Sequence, residues 1–157
     1  MKYICALIVV EDVLRSRRLY QTILGQEMQA DYGENVAFKG GFAIHKKDHF
    51  KMLLNNAPVT TGGNNVELYF EEDDLEPVEK MIQEEGLEFV HGITEQPWRQ
   101  KMMRFYDYDK NMIEVGESME HVAYRLSKEN LSIDEISGIT YLPAEAVKRS
   151  IEIYEGT

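Results

Sequence analysis

Apolar residues in this chain recur with two periods, and the switches between them mark out its elements. Residues 3–10 are rich in Ile and Val, which predicts a strand with Cys5, Leu7 and Val9 on one face and Ile4, Ala6, Ile8 and Val10 on the other. Asp12 is a suitable N-cap, and Val13, Leu14, Leu19, Ile23 and Leu24 hold a helical stripe that stops at Gly25. Gly33-Glu34 and Gly40-Gly41 then separate three short expected strands, at 27–32, 35–39 and 41–45. Residues 46–65 are a polar connection with Pro58 and Gly62-Gly63, in which Phe50, Met52, Leu53 and Leu54 predict a small packed turn or helix.

The series then starts again. Residues 66–71 alternate, with Glu67, Tyr69 and Glu71 opposite Val66, Leu68 and Phe70, which predicts another strand. Asp74 caps a helix over 75–85 that stops at Gly86, residues 87–90 form a strand, and a loop carries Pro97-Trp98. Residues 101–107 and 112–116 are two more strands around the turn-forming Asp107-Tyr108-Asp109-Lys110-Asn111. In one, Met103 and Phe105 oppose Met102, Arg104 and Tyr106; in the other, Ile113 and Val115 oppose Glu114. The order strand–helix–strand–strand–strand therefore occurs twice, and Cys5 and Glu67 each stand seven residues ahead of the capping aspartate of their own repeat.

A carboxylate in the middle of so short an apolar strand is costly to bury unless something binds it. From this stretch alone Glu114 is either a bound carboxylate or a solvent-facing one on a half-exposed strand. Pro97-Trp98, Arg104-Phe105-Tyr106-Asp107 and Ile113-Glu114-Val115-Gly116-Glu117 together resemble the closing hairpin of the glyoxalase / bleomycin-resistance / extradiol-dioxygenase superfamily, also called vicinal oxygen chelate proteins. Two departures stand out. Tyr108 and Lys110 replace the Pro and Gly of a common Asp-Pro-Asp-Gly turn, and Arg99 stands where relatives often carry Gly.

The resemblance covers about residues 1–117 and implies an α+β fold: two tandem βαβββ modules, about 1–46 and 65–117 with a linker at 47–64, forming a half-open barrel or cup. Metal-dependent relatives place four ligands in that cup. By position these become Cys5, Ala43, Glu67 and Glu114, of which only Glu114 keeps the family type and Ala43 has no ligand atom. A divalent metal (Zn, Ni or Fe) on Glu114, Glu67 and Cys5 is what the resemblance implies, while a lone Cys on an apolar strand is more often a small buried hydrophobe. Facing each other across neighbouring strands, Glu67 and Glu114 would not ionise independently, which suits proton abstraction beside a carbonyl. Arg104 on the same face offers the alternative of a structural ion pair. Trp98, Arg104, Tyr69, Tyr106 and Met102 are the expected ligand-binding wall.

Two functions are open on this reading. One is a lyase or isomerase acting on a small carbonyl compound, related to lactoylglutathione lyase, with Glu114 and Glu67 as its acid/base or metal-binding groups. The other is a non-catalytic protein that binds and sequesters a small molecule, as bleomycin-resistance proteins do. Members of the superfamily often dimerise, so a homodimer is expected.

Composition narrows the partners. A chain of 157 residues, 43% apolar, suits one compact domain with a short appendage. The net charge of −11 is uneven: +2 over residues 1–64, −10 over 65–117 and −3 over 118–157. An acidic surface disfavours nucleic acid, whose phosphates need clustered Lys and Arg. The apolar N-terminal run is too short to span a bilayer. One cysteine excludes an intrachain disulfide and fits the reducing cytoplasm.

Residues 118–157 lie beyond the family domain and predict three helices: 119–128, a short one after the Ser132-Ile133-Asp134-Glu135 capping box, and one opened by Pro143. The last two resemble a helix-turn-helix, but only Lys148 and Arg149 are basic on the would-be recognition helix. An accessory helical extension is the expectation.

Overall fold

The computed structural model describes residues 1–156. The first repeat builds one four-stranded sheet in the order β1-β4-β3-β2, from β1 (Ala6–Val10), β2 (Met28–Asp31), β3 (Asn35–Phe38) and β4 (Phe42–Lys46). The second builds another in the order β5-β8-β7-β6, from β5 (Gly63–Glu71), β6 (Phe89–Glu95), β7 (Lys101–Tyr106) and β8 (Asn111–Gly116). Each repeat thus lays its last strand against its first, and the same permutation in both confirms the tandem βαβββ modules. Neither sheet closes on itself. In the first, β1 pairs with β4 in parallel and β3 pairs with β2 and β4 antiparallel.

The helix of the first repeat is α1 (Val13–Arg18), capped by the Asp12 side chain on the Arg15 amide, and it continues as a π-helical segment, Leu19–Ile23. That wider turn corrects the expected stripe. Leu19 and its neighbour Tyr20 are both fully buried, while Leu14 is 75% exposed. Tyr20 meets Phe38 and Phe42, which fixes the helix-facing side of the first sheet. The connection carries α2 (Lys47–Leu53), and the second repeat carries α3 (Leu75–Glu84). The N-terminal strand is shorter than expected. It begins at Ala6, so Cys5 falls before it and is exposed.

The last segment forms α4 (Met119–Lys128), α5 (Ile133–Thr140) and α6 (Ala144–Glu155). Ser118 caps α4, and Ser132 with Glu135 closes the expected capping box on α5. Tyr141 ends α5 in the left-handed conformation, and Pro143 opens α6. These helices bury Val122, Ala123, Leu126, Ile136 and Val147 as a small core of their own. Burial of that apolar surface is what holds three short helices together.

Contacts gather the chain into two compact units: Met1–Glu67 with Lys80–Glu88 and Tyr106–Met112, and Leu68–Glu79 with Phe89–Phe105 and the chain from Ile113 onward. Among the described residues no helix is long and apolar enough to cross a membrane.

Candidate functional site

The alternation in β7 and β8 sorts their side chains. Met103, Phe105, Ile113 and Val115 are buried on the apolar side. On the opposite side Glu114 is only 6% exposed, and its carboxylate is ion-paired with the guanidinium of Arg104. His91, opposite Arg104 in the β6–β7 pairing, places Nε2 3.4 Å from an Arg104 nitrogen and Nδ1 2.8 Å from the Gly92 carbonyl. With Nδ1–H donating to that carbonyl, Nε2 is placed to accept from Arg104.

Beside this pair, Gln100 organises the aromatic residues. Its Oε1 accepts from the Trp98 indole at 2.8 Å, and its Nε2 donates to the Tyr69 hydroxyl at 3.0 Å and to the Glu117 carbonyl at 2.7 Å. The Tyr69 hydroxyl donates in turn to Glu71 at 3.1 Å. Partial burial, then the charge of Glu71, and more weakly that of Glu114, push the Tyr69 phenol up to about 12. A Cβ at Gly116 would stand 3.2 Å from Gln100 Nε2 and 3.3 Å from Met102 Cβ, so a side chain there would make both neighbours give by a few tenths of an ångström.

The other expected site residues are Met102, Tyr106, Glu67 and Cys5. Met102 is 2% exposed and acts as core filling. The Tyr106 hydroxyl donates to Asn64 at 2.6 Å, within the other compact unit. Glu67 is exposed, at a shallow hollow of about 240 Å³ lined with Asn64, Asn65, Val66 and Met112. Glu114, Arg104, Tyr69 and Trp98 share one compact unit with Gln100 and His91, whereas Glu67 and Cys5 fall in the other. Sequence reasoning missed Gln100, because a lone glutamine in a loop carries no motif.

The donor set does not fit the divalent metal that the resemblance implies. Glu114 is engaged by Arg104, Cys5 is exposed ahead of β1, Glu67 is exposed and Ala43 offers no donor. Among the described residues no group of three or more His, Cys, Asp or Glu is placed to hold a metal ion.

Two features of the hairpin follow from the departures noted in its sequence. Arg99 and Lys110, at the two positions where glycine is common, both adopt positive φ, +69° and +65°. The Lys110 turn is held by buried Asp107, which accepts from the amides of Asp109 and Asn111 and from the Tyr20 hydroxyl. Arg99 pairs with Glu95 and Glu129. Arg125 of α4 donates to the buried Glu117 carboxylate at 2.9 Å and to the Arg99 carbonyl at 2.5 Å. Charged pairs thus fasten α4 to the loop before β7.

Paired βαβββ modules with a glutamate at the centre of the last strand define the glyoxalase class of folds. A family model for the glyoxalase-like domain matches residues 3–120, and the chain belongs to that family. No curated protein matches it by sequence. Among solved structures, a protein of unknown function from Agrobacterium tumefaciens str. C58 is 34% identical, with 75% of this chain and 94% of that one covered at a TM-score of 0.67. A lactoylglutathione lyase from Agrobacterium tumefaciens shares the fold at 18% identity, with 74% and 93% covered and a TM-score of 0.58. So does the fosfomycin resistance protein FosX from Mesorhizobium loti, at 16% identity, 73% and 89% covered and a TM-score of 0.55.

Proposed function

We propose that this protein is a small-molecule binder of the glyoxalase superfamily that encloses its ligand without metal-assisted chemistry. The observation that carries this reading is the ion pair between buried Glu114 and Arg104. A carboxylate neutralised by a guanidinium is a poor base and a poor metal ligand, because either role must first displace the cation. The pair also carries no net charge. With Tyr69 and Trp98 alongside, it favours an uncharged or aromatic ligand that meets ring faces and a few fixed polar groups. Helices α4–α6, with a net charge of −3 over residues 118–157, are read as an accessory extension rather than a DNA reader. A cytoplasmic homodimer is part of the same proposal, and sedimentation as a monomer at micromolar concentration would count against it.

The competing reading is a lyase or isomerase for a small carbonyl compound. It is favoured by the fold shared with a lactoylglutathione lyase, and it requires Glu114 to be free of Arg104 at some stage of the reaction. Titration of the only tryptophan, Trp98, separates the two. Fosfomycin, bleomycin, lactoylglutathione and simple aromatic compounds serve as probes, each with and without added nickel or zinc. Enclosure predicts saturable quenching that is indifferent to metal, with the ligand recovered unchanged by mass spectrometry. Metal-dependent consumption of lactoylglutathione that disappears in Glu114→Gln would overturn it.

A further inference from the structure

Helix α2 buries none of its own residues and has no side-chain N-cap; Met52 and Leu53 are each 61% exposed. What ties it to the first sheet is polar and local. His45 of β4 is 6% exposed, on the strand face opposite Phe42, and its Nε2 lies 2.7 Å from Nδ1 of His49 in α2. The two imidazoles stack at 5.0 Å between centroids and 19° between planes, and Phe50 covers the His45 ring at 5.5 Å. On the other side of His45, Asn35 of β3 places its amide nitrogen 3.1 Å from Nδ1. Lys47, the first residue of α2, is ion-paired with Glu11.

This chain of contacts is complete when both rings are neutral. Asn35 then donates to His45 Nδ1, and His45 Nε2–H donates to His49 Nδ1. A proton on both rings sets His45 Nε2–H against His49 Nδ1–H and two cations side by side, whereas a single proton is accommodated once Asn35 turns its amide oxygen to His45 Nδ1. The charged groups around His45 are few. Glu34, ahead of β3, favours its protonation but is occupied by the Lys46 ammonium at 3.3 Å, while Asp48 of α2 is exposed. Burial, and then the neighbouring His49 ring, hold His45 below the ordinary histidine range.

We propose that the His45–His49 hydrogen bond is a proton-operated latch that holds α2 against the first sheet when neutral and releases it when the pair is protonated. Release uncovers His45, against which the His49 and Phe50 rings of α2 pack. The sign follows from the burial. A histidine that resists protonation in place, and accepts a proton freely once exposed, favours the closed state above its ordinary value of about 6.5 and loses that preference as pH falls below it.

Amide hydrogen exchange on the full chain, corrected for the intrinsic pH dependence of exchange, tests this between about pH 8 and about pH 5.5. Protection of the amides over residues 50–54 is expected to fall by about tenfold or more at the acid end, while β1, β3 and β4 keep theirs. His45→Gln does not titrate, and its amide can donate its nitrogen or turn its oxygen to His49, so it should keep α2 protected at both pH values. His49→Ala should leave α2 unprotected at both. Wild-type protection of α2 that does not change with pH overturns the proposal, as does a His45→Gln protein that loses protection just as the wild type does. Loss of protection in the strands as well would mark global unfolding rather than a latch, and would also overturn it.

Discussion

Arg104→Gln is the most informative single change, because it strips the cation from a carboxylate that has almost no access to water. The Glu114 side chain is 8% exposed and that of Arg104 is 28% exposed. Removing one partner of a fully buried pair costs about 3–5 kcal/mol, mostly from the charge left behind. Solvent reaches the guanidinium side here, so about 2–3 kcal/mol is the expected loss. With a urea slope of about 2 kcal/mol/M for a chain of this size, the unfolding midpoint should drop by about 1 M at unchanged slope. Glu114→Gln should cost less, about 1 kcal/mol, because the arginine it leaves behind can still be hydrated. The double variant Arg104→Gln/Glu114→Gln should recover most of the loss, since no charge is then buried. A midpoint unchanged in Arg104→Gln, or a double variant no better than the single, would refute the account of Glu114 as a neutralised structural carboxylate. The function proposed on it would go as well.

Three further outcomes are expected. Lys110→Gly should stabilise the protein by about 0.5–1 kcal/mol, raising the melting temperature by about 1–4 °C, because the left-handed conformation at φ +65° costs a side chain and costs glycine nothing. Ser132→Ala breaks the capping box that opens α5 and should cost about 1 kcal/mol, read as earlier melting of the helical signal in circular dichroism. Tyr69, with its folded-state value raised from 10.0 to about 12, contributes stability that is fully present below pH 10 and is lost as pH rises through about 12. Difference absorbance of Tyr69→Phe against wild type should therefore lack one phenol that ionises late, and a missing phenol of ordinary value would contradict the hydrogen-bonded, charge-shadowed setting described for it.

The hairpin and the tail were largely legible from the chain, for local reasons. Residues 101–107 and 112–116 alternate so regularly that the faces of Met103, Phe105, Arg104 and Glu114 follow from period alone, and the structure keeps them. The capping box at Ser132 sets the start of α5 by hydrogen bonding within four residues, and the fixed φ of Pro143 sets that of α6. The burial of Tyr20 was not legible, because a π-helical turn over Leu19–Ile23 changes which residues point inward and brings its ring against Phe38 and Phe42.

The candidate site divides the same way. The sequence by itself determined the repeated strand–helix–strand–strand–strand order and the family it belongs to. It also determined that a glutamate occupies the middle of the last strand and that Arg99 and Lys110 stand where glycine is common. Only the tertiary structure decided that Glu114 is bound by Arg104 while Glu67 lies exposed, that Gln100 joins Trp98 to Tyr69, and that His45 meets His49. Periodicity is a property of neighbours along the chain and reports which face a side chain takes. The charge state and partners of a buried group depend on what other strands and helices bring within a few ångströms, and that information is written nowhere along a single strand.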